Sequence, residues 1–118
     1  MKDFIKNFFG RSDDNDNYIP VGVSDIENAI RKKITVSGRV QGVGFRFFTQ
    51  GEATKLRLTG WVKNLNNGDV TMEVQGATED VEELINRLKK GNGFSRVTDI
   101  EIADLSVDKE EDKFGIAY

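Results

Sequence analysis

The order of hydrophobic patterns along residues 30–118 constrains the fold more strongly than any other feature of the sequence. Apolar side chains first alternate at Ile34 and Val36, which is typical of a β-strand. A glycine-containing loop, a helical pattern, two short β-like runs, a second helical pattern and a β-like run over about 97–107 follow. A short last run carries apolar residues on one face: Phe114, Ile116 and Tyr118.

This β-α-β-β-α-β order with a terminal strand predicts an α+β fold. The predicted architecture is the ferredoxin-like split βαβ sandwich, in which two helices cover one face of an antiparallel sheet. Fold alone assigns no function, because the same architecture carries many unrelated sites.

End signals support the two helices and the hairpin between them. Apolar residues recur near helical spacing in the first helix: Phe45, Phe48, Ala53 and Leu56. The turn Asn66–Asp69 separates two β-like runs and predicts a hairpin. In the second helix, Thr78 is the predicted N-cap and Gly91 the predicted C′ residue. Its predicted core-facing stripe comprises Val81, Leu84, Ile85 and Leu88.

The absence of two residue types excludes several classes of chemistry. The chain contains no cysteine and no histidine. Disulfide frameworks, thiolate nucleophiles and cysteine zinc sites are therefore excluded, as are histidine general bases and histidine-ligated metals. Any catalysis must rely on other groups.

The charge balance and hydropathy argue against nucleic-acid and membrane partners. The net charge is −3, whereas nucleic-acid-binding proteins normally carry a basic surplus. No apolar run approaches the roughly 20 residues that span a bilayer. The first residues also lack the continuous apolar region of a secretory signal. We therefore expect a cytoplasmic protein.

The sequence divides near residue 30. Residues 1–29 hold three Lys and Arg against six Asp and Glu, which leaves 17 − 3 = 14 basic and 20 − 6 = 14 acidic residues in 30–118. We expect residues 1–29 to form a flexible N-terminal extension and residues 30–118 to form one folded domain.

Two motifs in the extension lead to no predicted site. Four apolar residues near the start recur at helical spacing: Phe4, Ile5, Phe8 and Phe9. They suit a membrane or partner anchor, or a frayed or locally packed terminus, and the shortness of the stretch favours the terminus. Asp13, Asn15 and Asn17 match the start of a calcium loop, but Tyr18 replaces its glycine and Ser24 its glutamate, so no calcium site is expected.

The loop before the first helix combines glycines with an unusually placed cation. Gly42 and Gly44 allow backbone conformations closed to other residues, and consecutive N–H groups before a helix can form an anion site. The pattern matches neither a Walker loop nor a dinucleotide fingerprint. Arg46 falls in the first helical turn, where the macrodipole disfavours a cation. A bound phosphate would explain this placement, and pairing of Arg46 with a surface carboxylate is the alternative that local physics leaves open.

Three segments of the sequence resemble one enzyme family. They are GRVQGVGFR (Gly38–Arg46), GWVKNLNNGDVTMEVQG (Gly60–Gly76) and the closing FGIAY (Phe114–Tyr118). The first two resemble the signature motifs of the acylphosphatases, and the third is similar to the usual C-terminus of that family. The resemblance covers about residues 31–118 and says nothing of the extension.

The resemblance implies an enzyme that hydrolyses acyl phosphates to a carboxylate and inorganic phosphate, with no metal or cofactor. It implies catalytic roles for Arg46, which would grip the phosphoryl group, and for Asn64, which would position the attacking water. The resemblance also implies phosphoryl binding by N–H groups of the loop residues Gln41, Gly42, Val43, Gly44 and Phe45. We expect a monomer whose partners are a small acyl phosphate and the phosphate product. The alternative role of Asn64 is to support the Asn66–Gly68 turn.

Three positions depart from the pattern that the resemblance implies. Arg57 stands where family members usually carry glycine, so we expect the first helix to end differently. Gly51 lies inside the same helix and should weaken it by up to about 1 kcal/mol relative to alanine. Ala117 replaces a common penultimate arginine, which removes one C-terminal electrostatic contact.

Two other functions remain as alternatives. A non-catalytic phosphate-binding or anion-binding module would use the same loop without turnover. RNA-recognition modules share the order of elements, but Val70–Val74 offers no aromatic side chain for base stacking. RNA binding is therefore the least favoured of the three functions.

Overall fold

The computed structural model describes residues 28–118, and the order of their elements is the predicted one. The elements are β1 (Ile30–Arg39), α1 (Phe45–Lys55), β2 (Thr59–Asn64), β3 (Val70–Gly76), α2 (Thr78–Lys90), β4 (Arg96–Leu105) and β5 (Phe114–Ile116). The predicted flexible extension, its apolar tip and the rejected calcium loop concern residues 1–27, which lie outside the described residues. Neither helix in the described part is long and apolar enough to cross a membrane.

The sheet has the strand order β4-β1-β3-β2-β5. Three of its four pairings are those of the predicted ferredoxin-like unit, because β1 pairs antiparallel with both β3 and β4, and β2 pairs antiparallel with β3. The terminal strand β5 adds to β2 in parallel, through pairs such as Gly60 with Phe114. The five-stranded sheet as a whole is therefore mixed rather than wholly antiparallel.

The core lies between the sheet and the two helices. Alternate residues of the strands are buried on one face: Ile34, Val36, Val62, Val70, Met72 and Val74. The same cluster contains Phe45 and Ala53 of α1 and Val81, Leu84 and Leu88 of α2, so both helices cover one face, as predicted. Phe48 and Ile85 are partly buried against this cluster. The predicted helical stripes are thus the core-facing stripes.

The prediction of Thr78 as the N-cap of α2 is wrong. The chain is still extended at Ala77 (φ −63°, ψ 144°), and Ala77 is the N-cap, without a side-chain cap. Its carbonyl accepts hydrogen bonds from the N–H groups of Asp80 and Val81, both at 3.0 Å. Because β3 runs to Gly76, the helix must begin at once, and Thr78 becomes its first residue. Gly91 ends α2, as predicted, but it is the C-cap (φ 77°, ψ −173°) rather than the C′ residue.

The expectation that Arg57 changes the end of α1 is also wrong. The Leu58 N–H donates to the Ala53 carbonyl at 2.9 Å and the Arg57 N–H to the Thr54 carbonyl at 3.0 Å. These two bonds form a Schellman motif, in which residue C′ adopts the left-handed conformation that favours glycine. Arg57 occupies that position with φ 61° and is the one non-glycine residue with positive φ in the described part of the chain. The helix therefore ends in the Schellman geometry that usually requires glycine, although arginine occupies the C′ position.

Candidate active site

The loop between β1 and α1, residues 40–44 and here called the glycine loop, ends at an uncapped helix N-terminus. Gly42 and Gly44 have φ of 74° and 77°, in the left-handed region. Gly44 is the N-cap of α1, which has no side-chain cap and no acidic residue in its first turn. The first N–H groups of a helix lack intrahelical acceptors, so this end of α1 offers unpaired donors and a positive dipole end.

Side chains from two other segments fix the backbone of the glycine loop. The Gln41 Nε2 group donates to the carbonyls of Leu65 at 2.7 Å and Asp69 at 2.8 Å, in the hairpin between β2 and β3. The Asn92 Nδ2 group donates to the Val43 carbonyl at 2.8 Å, from the segment between α2 and β4. Buried Val40 and Phe45 anchor the two ends of the loop in the core. The loop is thus held from both sides before any ligand binds.

Arg46 is half-buried in the first turn of α1 and forms no salt bridge with residues 28–118. Its Cζ atom lies 4.9 Å from the centroid of the Tyr118 ring, within the range of a cation–π interaction. Pairing with a surface carboxylate, the alternative that local physics left open, therefore finds no partner among the described residues. The guanidinium is oriented by an aromatic face and keeps its hydrogen-bond donors for another group.

Asn64 is the last residue of β2 and lies on its core-facing side, two residues after the buried Val62. The Asn64 Oδ1 atom is buried and has no hydrogen-bond partner among residues 28–118. Buried polar atoms are normally hydrogen-bonded, and leaving one unpaired costs about 1–3 kcal/mol. An orphaned acceptor at the end of a strand is the kind of broken local rule that is expected where a ligand binds.

The side chain of Asn64 does not support the hairpin turn. The Leu65 N–H donates to the Asp69 carbonyl at 2.8 Å, and the Gly68 N–H donates to the Leu65 carbonyl at 3.2 Å. Within the turn itself, Asn67 Oδ1 accepts from the Asp69 N–H at 3.0 Å. These bonds close the turn without Asn64, so the alternative role considered for it has no support in its contacts.

Topology brings the predicted site residues to one end of the sheet. Both β1 and β2 run antiparallel to β3, and therefore parallel to each other. The glycine loop follows the end of β1, and Asn64 stands at the end of β2. The Gln41 bonds to Leu65 and Asp69 join the two segments directly. The donors of the loop, the Arg46 guanidinium and the Asn64 amide thus lie at the same end of the sheet.

Sequence reasoning missed two residues of this site. Tyr118 was predicted on the face of the last strand, but β5 ends at Ile116. Tyr118 lies beyond the strand, is 85% exposed, and places its ring beside the Arg46 guanidinium. Asn92 gave no signal, because an asparagine after a helix-ending glycine is typical of an ordinary turn. Only the packing of the α2–β4 segment against the glycine loop gives it a contact with the site.

Comparison with known proteins places the chain in one family. Residues 32–116 match the sequence profile of the family described as Acylphosphatase. A protein described as acylphosphatase from Clostridium beijerinckii is 54% identical over 89 residues, which cover 75% of this chain and 99% of that protein. A second one, from Clostridium perfringens strain SM101, is 51% identical over 85 residues and is covered to 96%.

Solved structures agree with the sequence match. The crystal structure of acylphosphatase from Bacillus subtilis is similar with a TM-score of 0.72 and 40% identity, over 75% of this chain and 99% of that chain. The structure of an acylphosphatase from Coxiella burnetii is similar with a TM-score of 0.75 and 33% identity, over 80% of this chain and 99% of that chain. Motifs, fold and relatives agree, and the chain belongs to the acylphosphatase family of hydrolases that act on acid anhydrides.

Proposed function

We propose that the glycine loop and Arg46 bind the phosphoryl group of an acyl phosphate and that Asn64 orients the water that attacks it. The observation that carries this proposal is the buried Asn64 Oδ1 atom without a hydrogen-bond partner among the described residues. A water molecule donates a hydrogen bond to such an acceptor, and the acceptor is held at the end of β2 beside the loop that Gln41 ties to it.

The phosphoryl group is bound by donors that otherwise have no acceptor. The N–H groups of Gln41, Gly42, Val43, Gly44 and Phe45 and the positive end of α1 supply an anion site. Arg46 adds a planar fork of donors that suits phosphate oxygens. Hydrogen bonds to a charged group each contribute about 1.5–3 kcal/mol, so an anion turns an unfavourable accumulation of positive potential into a binding site.

The reaction needs no strong general acid or base. The water oxygen forms a bond to phosphorus while the bond from phosphorus to the acyl oxygen breaks. The bonding electrons leave with the acyl oxygen as a carboxylate, and a water proton passes to the surroundings or to the phosphate product. Because phosphoryl transfer depends mainly on positioning and electrostatic stabilisation, a chain without cysteine or histidine has the groups it requires.

The hydrolysis of benzoyl phosphate, measured as the decrease in its ultraviolet absorbance, tests the roles of both residues. Arg46→Gln should lower kcat/KM by about 10²–10³-fold, the scale for removing one transition-state donor. Asn64→Ala should lower kcat while the inhibition constant of inorganic phosphate stays near the wild-type value, because Asn64 acts on the water. Matched controls are Lys55→Gln, an exposed cation at the far end of α1, and Asn66→Ala, an exposed turn residue.

The possible outcomes separate the two candidate functions. Full activity in both Arg46→Gln and Asn64→Ala would overturn the assignment of the site. Phosphate binding by a folded wild-type protein without turnover above the spontaneous rate would instead indicate the non-catalytic anion-binding module.

A further inference from the structure

Asn92 closes the turn between α2 and β4 and also forms a hydrogen bond from that turn to the glycine loop. Its Oδ1 atom accepts from the N–H groups of Phe94 at 3.0 Å and Ser95 at 2.9 Å, and its own N–H donates to Ser95 Oγ at 3.1 Å. These three bonds close the segment between α2 and β4. The remaining polar group, Nδ2, reaches out of the turn and donates to the Val43 carbonyl at 2.8 Å.

The Val43 carbonyl belongs to the same peptide unit as the Gly44 N–H group. A trans peptide is planar, so its carbonyl and its N–H point in opposite directions. Gly44 has φ 77°, and glycine adopts positive and negative φ about equally well. Nothing intrinsic to the sequence Val43-Gly44 therefore prevents this peptide unit from turning over, which would exchange the positions of its carbonyl and its N–H.

We propose that Asn92 is a positioning residue for phosphoryl binding, an inference that rests on the proposed function of the glycine loop. By holding the Val43 carbonyl on the side of the α2–β4 segment, Asn92 keeps the Gly44 N–H directed to the opposite side, where it donates to the phosphoryl group. Without that bond, the peptide unit samples the orientation that presents a carbonyl oxygen to the anion. Asn92 itself does not touch the substrate.

The two polar atoms of Asn92 allow this role to be separated from a purely structural one. Asn92→Asp retains an acceptor for the Phe94 and Ser95 N–H groups, but it replaces the donor to Val43 with a carboxylate oxygen. Asn92→Ser removes that donor without adding charge. If Asn92 served only to close its own turn, the aspartate would preserve function, because aspartate forms this type of turn as well as asparagine.

Two control variants in the same turn reproduce the added negative charge and the disturbance of the turn without removing the bond to Val43. Phe94→Asp adds a negative charge on a side chain that is 76% exposed and leaves the Asn92 bonds in place. Ser95→Ala removes the Oγ acceptor of the Asn92 N–H and so disturbs the turn, while the bond to Val43 remains. Circular dichroism and thermal melting establish that each variant is folded.

We expect Asn92→Ser and Asn92→Asp to raise the inhibition constant of inorganic phosphate by about 10- to 100-fold, the equivalent of one charge-assisted hydrogen bond. The KM for benzoyl phosphate should rise in parallel, and kcat should change less. In a ¹⁵N–¹H spectrum titrated with inorganic phosphate, the Gly44 resonance should shift in the wild type and in Ser95→Ala. That shift should be largely lost in Asn92→Ser.

Three results would overturn the role of Asn92. One is wild-type phosphate affinity and an unchanged Gly44 shift in Asn92→Ser. Another is a loss in Asn92→Asp that Phe94→Asp reproduces in full, with Asn92→Ser unaffected, because charge alone would then explain it. The third is a loss in Ser95→Ala as large as that in Asn92→Ser, since general disturbance of the turn would then suffice.

Failure of the proposed function gives a different result. A wild-type protein that binds phosphate but hydrolyses nothing contradicts the proposed catalysis, and the phosphate titration still decides the role of Asn92. A wild-type protein that neither binds phosphate nor hydrolyses benzoyl phosphate overturns both proposals.

Discussion

At the scale of single residues, the site is built from groups that break local rules. Arg46 places a cation at the positive end of a helix, and Asn64 buries an acceptor that has no partner among residues 28–118. Each placement is unfavourable in the unliganded protein, and the proposed phosphoryl group and attacking water would supply the missing partners. The first signal was visible in the sequence, because helix position and charge are local properties. The second was not, since burial and hydrogen-bond partners depend on distant parts of the chain.

The contact between Arg46 and Tyr118 gives a residue-scale prediction. Removing the ring in Tyr118→Ala should raise the KM for benzoyl phosphate by about 2- to 5-fold, which corresponds to the 0.5–1 kcal/mol of an exposed cation–π interaction. Tyr118→Phe keeps the aromatic face and should leave KM near the wild-type value. Steady-state kinetics of the two variants test this, and equal effects in both would mean that the hydroxyl rather than the ring is responsible.

At the level of secondary-structure elements, hydrophobic periodicity predicted the core-facing sides of the helices correctly, whereas capping signals predicted the helix ends less well. The stripes of α1 and α2 face the core because apolar residues three and four positions apart share one side of a helix. The N-cap of α2 was predicted wrongly, because the preference of threonine for the N-cap position carries no information on where the preceding strand ends. At the end of α1, residues 53–58 form a complete Schellman motif around a residue that is unsuited to it. The two hydrogen bonds at the end of α1 hold Arg57 in the left-handed conformation, which arginine disfavours.

Arg57 therefore gives a prediction about stability. Left-handed conformation costs a non-glycine residue about 1–2 kcal/mol, of which glycine recovers only a part because it has more freedom in the unfolded chain. Relative to Arg57→Ala, which also removes the side chain, Arg57→Gly should thus raise the free energy of unfolding by about 0.5–1 kcal/mol. Arg57→Val should lower it, because a β-branched residue suits this conformation least. Urea unfolding measures both, and a lower midpoint for Arg57→Gly than for Arg57→Ala would contradict the prediction.

At the scale of the whole molecule, pairings between distant elements hold the two layers and their edges together. Glu52 of α1 accepts from Arg87 of α2 at 3.0 Å, which links the two helices. On the opposite face of the sheet, buried Arg31 of β1 contacts both carboxylate oxygens of Glu111, at 2.7 and 3.1 Å, and so fastens the segment between β4 and β5. The division of the chain at residue 30 into an extension and a domain remains a prediction.

The helix–helix contact predicts a pH dependence of stability. Partial burial acts to raise the pKa of Glu52, but hydrogen bonds from Lys55 and Arg87 outweigh it and lower that pKa below its ordinary value. A carboxylate whose pKa is lower in the folded state stabilises the fold above its unfolded pKa. That contribution is lost as pH falls below about 4.3 and through the folded value.

Glu52→Gln tests this dependence directly. Unfolding by urea between pH 7 and 3 should show a wild-type loss of stability on acidification that is smaller in Glu52→Gln. Glu82→Gln serves as the control, because Glu82 is an exposed acid of α2 without a salt bridge among residues 28–118. Parallel curves for the wild type and Glu52→Gln would show that the ion pair makes no acid-sensitive contribution.

The order of the elements, the core-facing stripes and the two motifs that identify the family could all be predicted without coordinates, because they are local patterns along the chain. The side chains that complete the proposed site became evident only from contacts between distant residues. Gln41 reaches carbonyls 24 and 28 positions away, and Asn92 reaches Val43 across 49 positions. The unpaired state of Asn64 Oδ1 and the position of Tyr118 against Arg46 likewise follow from which strand ends and segments meet. No local pattern encodes such contacts, since hydrogen-bond partners are chosen by proximity in space after the sheet has formed.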